Sequence, residues 1–182
     1  MTQRRTDLAD PLLLLTIRMK RAPASWLAKP RVISRQECAH CERRRRLHDK
    51  EDWLSGQRSV LLVEDEYFLQ ADLKKALTDA GFSVESVASG EEALALFFGG
   101  NTTYTALVTD VRLRDGMTGW DLARRIRELE PAFPVVYVTG SSANEWASEG
   151  VLNSVLISKP FRTAQLVTAV TALLDIQAPS VP

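Results

Sequence analysis

The stretch at residues 60–66 reads Val-Leu-Leu-Val-Glu-Asp-Glu, a short apolar run that ends in three acids. Four consecutive apolar residues without alternation are typical of a strand that is covered on both faces, as in the parallel sheets of α/β proteins. Residues 66–80 then place Leu73 and Leu77 on one face of a predicted helix, and Gly81 follows as its C-cap. The stretch therefore predicts a buried strand that leads directly into an amphipathic helix.

The same strand–helix unit recurs along the rest of the chain. Further strands are predicted at 82–87, 105–109, 134–138 and 155–157, and further helices at 93–98, 122–129, 141–149 and 166–174. Ser89 and Glu92 form a capping-box pattern before the second helix. Five consecutive β–α pairs predict a doubly wound α/β fold, with a five-stranded parallel sheet, right-handed crossovers and helices on both faces.

In such sheets ligands bind beyond the carboxyl ends of the strands, and four of the predicted ends carry polar or charged residues. Glu64 and Asp65 follow the first strand, Asp110 ends the third, Thr139 ends the fourth and Lys159 follows the fifth. Three carboxylates at one edge need a counterion, because each pair at ~4 Å repels by about 4 kcal/mol at an effective dielectric constant of about 20. A hard divalent cation such as Mg²⁺, which prefers oxygen ligands, would supply it.

With a hydroxyl and an ammonium group beside the carboxylates, this edge is suited to a phosphoryl group, and Asp110 is placed to act as the nucleophile. A simpler interpretation is that Glu64 and Asp65 only cap the following helix, because acids are favoured at helix N-termini. That interpretation accounts for one of the four strand ends. The phosphoryl-binding interpretation accounts for all four and is preferred.

Four short motifs at these ends carry a resemblance to a known family. They are Val-Glu-Asp-Glu at 63–66, Val-Thr-Asp at 108–110, Val-Thr-Gly at 138–140 and Ser-Lys-Pro-Phe at 158–161. In this order and spacing they resemble a response-regulator receiver domain of two-component signalling, over residues 58–178. The resemblance implies a flavodoxin-like sheet of strand order 2-1-3-4-5, a cytoplasmic protein, and phosphotransfer from a histidine kinase or phosphotransfer protein to Asp110. It also implies output through contacts with a downstream protein, and a phosphoacceptor rather than an enzyme.

The resemblance also implies the ligands of a Mg²⁺ ion. They would be the carboxylates of Glu64, Asp65 and Asp110 and the backbone carbonyl of Arg112. The first acid of the family is usually Asp, and Glu64 is a longer substitute. An alternative class, the phosphohydrolases with an Asp nucleophile, needs a second Asp two residues after the first, where this chain has Arg112.

Thr139 and Lys159 match the family's switch hydroxyl and its phosphate-binding lysine, and the Lys159–Pro160 bond would by analogy be cis. The loop after the phosphoacceptor departs from the family pattern, since Arg114 stands where a proline is usual and Gly119 comes one residue late. A phosphorylation-independent interaction module is a further alternative. Such a module would be expected to lack an acid, the threonine or the lysine, and none of these is missing.

Residues 1–57 have a different composition from the rest of the chain. They carry 13 Lys and Arg against 7 Asp and Glu, whereas residues 58–182 carry 10 against 16, so the net charge of zero conceals a basic and an acidic part. Prolines and the absence of a helical or strand period predict a basic, disordered extension that the receiver core does not need for folding. No apolar run approaches the ~18 residues that span a bilayer, so no membrane association is predicted.

Two ligand-binding interpretations of this extension remain open. Cys38, Cys41 and His48 could bind zinc, but no good fourth ligand is present, and two free thiols are the preferred interpretation. The four arginines at 43–46 could grip the phosphates of a nucleic acid. No aromatic residues are interleaved with them, so a solvated charge run is preferred and no nucleic-acid partner is predicted.

Overall fold

The computed structural model describes residues 17–19, 58–99, 102–114 and 116–177. From residue 58 onward, five strands alternate with five helices, as the sequence predicts. The strands are β1 (Ser59–Val63), β2 (Ser83–Val87), β3 (Ala106–Asp110), β4 (Val135–Thr139) and β5 (Val155–Ser158). The helices are α1 (Tyr67–Asp79), α2 (Gly90–Gly99), α3 (Gly119–Leu129), α4 (Trp146–Glu149) and α5 (Thr163–Gln177).

The five strands form one parallel sheet in the order β2-β1-β3-β4-β5, which confirms the predicted order 2-1-3-4-5. The chain proceeds from β1 outward to β2, then crosses back to β3 on the other side of β1. The order of the strands therefore reverses between β1 and β3. The carboxyl ends of these two strands flank the crevice where doubly wound sheets bind their ligands.

The apolar run of β1 divides between two cores because successive side chains of a strand point to opposite faces. Val60 and Leu62 pack with residues of α1 and α5, whereas Leu61 and Val63 pack with residues of α2, α3 and α4. All four apolar side chains of β1 are fully buried. The absence of alternation in the sequence is thus explained by helices on both faces of the sheet.

An additional strand, Ile17–Met19, extends the sheet at its β5 edge. It runs antiparallel to β5 with Ile17 opposite Ile157 and Met19 opposite Val155. This pairing was not foreseen from the sequence, whereas the prediction for the extension as a whole stays a prediction. The physical reason is that an edge strand offers unpaired backbone N–H and C=O groups, which a short segment pairs with whatever its side-chain period.

The other predictions for the extension fall outside the described residues. These are the possible zinc ligands Cys38, Cys41 and His48, the arginines at 43–46, and a boundary at residue 57 between an extension and a receiver domain. The division into 1–57 and 58–178 remains a prediction. No helix in the part of the chain that the structure describes is long and apolar enough to cross a membrane.

Removal of residues 1–57 is expected to leave a folded protein of slightly lower stability. The five β–α units and both cores lie beyond residue 57, whereas the pairing of Ile17–Met19 with β5 is lost. A few edge hydrogen bonds contribute about 1 kcal/mol in total, which corresponds to a decrease in Tm of about 3–6 °C for a domain of this size. Thermal unfolding followed by circular dichroism measures this difference.

A shorter truncation that removes residues 1–10 and retains Ile17–Met19 is the matched control. It is expected to unfold at the same temperature as the full chain. Complete loss of folding after removal of residues 1–57 would contradict the prediction and would make the extension part of the folding unit.

Candidate functional site

Three carboxylates meet at the carboxyl ends of β1 and β3. The register pairs Val63 with Thr109, so the residues that follow them, Glu64 and Asp110, lie side by side. Ligand oxygens of Glu64, Asp65 and Asp110 all lie within 4.8 Å of one another. Glu64 and Asp110 are 1% and 7% exposed. The adjacency of β1 and β3 in the sheet therefore brings residues distant in sequence into one acidic cluster.

Lys159 provides a positive charge inside this cluster. Its Nζ lies 2.6 Å from Asp110 Oδ2 and 3.0 Å from Glu64 Oε2, so one ammonium group binds two carboxylates. Burial would lower the pKa of Lys159, but the hydrogen bonds and charges of Asp110 and Glu64 outweigh it and raise that pKa. Lys159 therefore stays protonated at neutral pH and holds the two carboxylates together.

Glu64 shows the cost of burying a carboxylate. Burial raises its pKa, and the charge of Asp110 acts in the same direction, while Lys159 partly opposes both. Its Oε1 also accepts a hydrogen bond of 3.3 Å from the backbone N–H of Glu66. The cluster therefore favours any additional cation that reduces the repulsion between Glu64 and Asp110.

The backbone around Asp110 is tightly constrained. Its Oδ1 accepts a hydrogen bond of 2.9 Å from the N–H of Arg112, which orients the carboxylate. Gly119, the first residue of α3, passes so close that a Cβ there would lie 2.1 Å from the carbonyl oxygen of Asp110. Only glycine fits at this approach, and the N–H of Gly119 donates a 3.0 Å hydrogen bond to Val111 O.

Thr139 lies at the same edge, at the end of β4, and is buried. Its Oγ1 accepts hydrogen bonds from the backbone N–H groups of Ser141, at 3.3 Å, and Ser142, at 3.0 Å. Because a hydroxyl has one hydrogen and two lone pairs, the hydrogen of Thr139 is the part left for a ligand. Arg112 holds the same loop, since its Nε donates to Ser142 Oγ at 2.9 Å.

The cluster fits a hard divalent cation. All three of its acidic members offer carboxylate oxygens, the ligand type that Mg²⁺ prefers, and a site with few protein ligands suits an ion that retains several waters. Sulfur and imidazole ligands, which favour softer metals, do not occur in this cluster.

The structure brings every residue of the sequence-predicted site to this one edge of the sheet. Glu64, Asp65, Asp110 and Lys159 are in mutual contact or close proximity, and the N–H of Lys159 donates a 2.7 Å hydrogen bond to Thr139 O. The Lys159–Pro160 peptide bond is cis, the isomer that the resemblance implies. Arg112 contacts the site through its backbone N–H, and the role of its backbone carbonyl as a metal ligand stays a prediction.

Three contacts of the site were missed by sequence reasoning. Arg114 Nε lies 3.0 Å from Asp65 Oδ2, Ser142 links Arg112 to the loop of Thr139, and Gly119 packs on Asp110. Each contact joins segments that are distant in sequence or involves an irregular loop. The hydrophobic periodicity of the sequence predicts neither kind of contact. Gly119 had a usable signal, because a glycine at the start of a helix near a strand end marks a close backbone approach.

The fold and the site together define a doubly wound α/β protein whose ligand site lies at the carboxyl edge of its parallel sheet, at the reversal of strand order. Comparison with known proteins identifies the group within this class. The family model described as the response regulator receiver domain matches residues 60–171. The chain belongs to this family, which is part of two-component signalling systems.

Individual relatives support this assignment. A response regulator receiver protein from Sinorhizobium medicae, known from its crystal structure, is 43% identical in sequence to this chain. The match covers 65% of this chain and 95% of that protein's chain, with a TM-score of 0.63. The C4-dicarboxylate transport transcriptional regulatory protein DctD of Rhizobium meliloti is 35% identical over 63% of this chain and 25% of its own length. The transcriptional regulatory protein TcrA of Mycobacterium tuberculosis is 35% identical over 66% of this chain and 47% of its own.

The match thus spans between a quarter and a half of these two curated relatives. It covers nearly the whole of the solved receiver protein from Sinorhizobium medicae. The similarity therefore concerns the receiver domain, and the activities of the longer relatives are not transferred with it.

Proposed function

We propose that this protein is a phosphoacceptor that receives a phosphoryl group on Asp110 from the phosphohistidine of a histidine kinase or a phosphotransfer protein. The observation that carries the proposal is that the Asp110 carboxylate lies next to the carboxylates of Glu64 and Asp65 and is bound by the ammonium group of Lys159. A cation site and a fixed ammonium group beside the nucleophile are what a transferring phosphoryl group requires.

In the proposed reaction, a carboxylate oxygen of Asp110 attacks the phosphorus atom and forms an acyl phosphate. The P–N bond to the donor histidine breaks, and its electron pair stays on the imidazole ring. The hydrogen bond from the N–H of Arg112 orients the nucleophile, and Lys159 neutralises charge on the phosphoryl oxygens as its contact with the carboxylate is released. Thr139 donates its hydroxyl hydrogen to one of these oxygens.

The proposed cofactor is Mg²⁺, held by the carboxylates of Glu64, Asp65 and Asp110 and by the backbone carbonyl of Arg112. When bound, it neutralises negative charge on the phosphoryl oxygens. The donor set described above supports this choice, and water would complete the coordination shell.

Incubation with acetyl phosphate and Mg²⁺, followed by intact-mass measurement, tests the proposed function. The protein is expected to gain the mass of one phosphoryl group and to lose it again on standing. A protein that takes up no phosphate under these conditions would instead be the phosphorylation-independent interaction module considered above. Cytoplasmic location and output through contacts with a downstream protein remain predictions.

Two exposed aromatic rings next to the site are proposed to contact the phosphodonor protein. Tyr67 and Phe68 begin α1 directly after the acidic segment, are 74% and 78% exposed, and form an edge-to-face pair at 5.6 Å. A protein donor must cover this edge to bring its histidine to Asp110, so it would bury these rings, whereas a small donor would not.

Replacement of both rings by serine is therefore expected to slow transfer from a histidine kinase that serves the parent protein by about tenfold or more, since each buried ring is worth over 1 kcal/mol. Transfer from acetyl phosphate is expected to be unchanged. Ile176→Ser is the matched control, because Ile176 is 67% exposed but lies near the end of α5, away from the site. Equal slowing with both donors would contradict a docking role.

A further inference from the structure

Arg114 forms an ion pair with one of the proposed metal ligands. Its Nε lies 3.0 Å from Asp65 Oδ2, in the loop between β3 and α3. The Arg114 side chain is 73% exposed, whereas that of Asp65 is 17% exposed. An exposed guanidinium group thus contacts a carboxylate that is mostly buried.

The charges of the cluster explain why this pair forms. Glu64, Asp65 and Asp110 contribute three negative charges, and Lys159 is bound to Glu64 and Asp110. Asp65 is paired with the guanidinium group of Arg114. Together with Lys159, Arg114 brings the number of positive charges at the cluster to two. One uncompensated negative charge remains in this state.

A divalent cation in place of Arg114 would bring the cluster to neutrality, whereas the cation and Arg114 together would leave one excess positive charge. Both cations would be held by the same carboxylate. The guanidinium of Arg114 contacts Asp65 Oδ2, so a metal ion bound to Asp65 would lie close to a second positive charge and be repelled by it. Arg114 and the divalent cation are therefore alternative counterions of Asp65.

Building on the Mg²⁺ site of the proposed function, we propose that Arg114 is a resident counterion that competes with Mg²⁺ for Asp65 and so raises the Mg²⁺ concentration that the protein needs. Arg114 is a positioning residue in this role, since it acts through Asp65.

The expected effect is modest because the pair is exposed on the arginine side. Exposed ion pairs contribute little, so loss of the pair is expected to tighten Mg²⁺ binding by about two- to fivefold. The same reasoning predicts dependence on ionic strength. Screening weakens the pair as the Debye length falls from about 10 Å near 0.1 M salt toward about 3 Å near 1 M, so the difference between parent and variant should shrink.

The test is a Mg²⁺ titration of the unphosphorylated protein, followed by the backbone amide NMR signals of Asp65 and Arg112. Arg114→Gln is expected to bind Mg²⁺ two- to fivefold more tightly than the parent at low salt, and Arg114→Lys to lie between them. Arg58→Gln is the matched control, because Arg58 forms a pair of similar length, 3.1 Å, with the exposed Asp175 near the opposite end of β1. Its Mg²⁺ affinity is expected to equal that of the parent.

Equal or weaker Mg²⁺ binding by Arg114→Gln, with saturable binding by the parent, would overturn the competition and leave the Mg²⁺ site intact. Absence of saturable binding by both proteins would overturn the Mg²⁺ site and the competition with it. If Arg58→Gln gained as much Mg²⁺ affinity as Arg114→Gln, the effect would come from the net charge of the protein. That result would overturn the proposed competition at Asp65. The NMR spectra report in the same experiment that each variant is folded.

Discussion

Asp110→Asn is expected to abolish phosphoryl uptake from acetyl phosphate in the presence of Mg²⁺. The carboxylate is the proposed nucleophile, and an uncharged amide lacks the negative charge and the lone-pair reactivity that attack on phosphorus requires. The loss should exceed about 100-fold, which reduces the phosphorylated fraction to background, because no other group takes over a covalent step. Intact-mass measurement of the two proteins compares their uptake.

The substitution is expected to leave the protein folded. The charge of Asp110 raises the pKa of its neighbour Glu64, so a neutral side chain at 110 relieves a repulsion within the cluster. Asp79→Asn is the matched control, since Asp79 is an exposed residue of α1 paired only with the neighbouring Lys75 among the described residues. It should retain full uptake. Equal uptake by Asp110→Asn and the parent would contradict the assignment of the phosphoacceptor.

Asp65→Ala is expected to remove most of the Mg²⁺ binding and, with it, most of the phosphotransfer. The site offers few protein ligands, so one carboxylate is a large share of the coordination. Loss of a supporting residue already weakens metal sites by about 10–100-fold, and loss of a ligand should weaken this one at least as much. Mg²⁺ affinity and the rate of phosphorylation by acetyl phosphate are the two quantities to measure.

Removal of the metal tests the same point without a substitution. Excess EDTA is expected to stop phosphorylation of the parent protein, and added Mg²⁺ to restore it. Asp79→Ala is expected to behave like the parent in both assays. Phosphorylation at the normal rate in excess EDTA would contradict the proposed role of Mg²⁺.

The fold could be predicted almost entirely from local patterns. The four apolar residues at 60–63 indicated a strand covered on both faces, and the structure buries β1 between two cores. The capping pattern of Ser89 and Glu92 also appears, since the N–H of Glu92 donates to Ser89 Oγ at 3.2 Å. These signals succeed because hydrophobic period and capping depend on residues close together in sequence.

The residues of the candidate site were equally accessible from the sequence. Each stands at the end of a predicted strand, and parallel strands bring their carboxyl ends to one edge of the sheet. Knowledge of the strands therefore placed Glu64, Asp65, Asp110, Thr139 and Lys159 together. Their roles in phosphotransfer remain the proposal made above.

Two features depended on tertiary structure. The strand Ile17–Met19 is too short to show a period, and it pairs with the backbone at the edge of the sheet that β5 forms. The pair between Arg114 and Asp65 joins residues 49 positions apart through the path of an irregular loop.

The sequence by itself determined the class of fold, the order of its elements and the chemical groups at the strand ends, because these depend on local periodicity and on the general rules of parallel sheets. Only the tertiary structure decided which charges are paired. Lys159 is shared by Glu64 and Asp110, and Arg114 is bound to Asp65. The reason is that an ion pair depends on distances of a few ångströms between side chains, and these are set by loop paths and burial that no sequence period encodes.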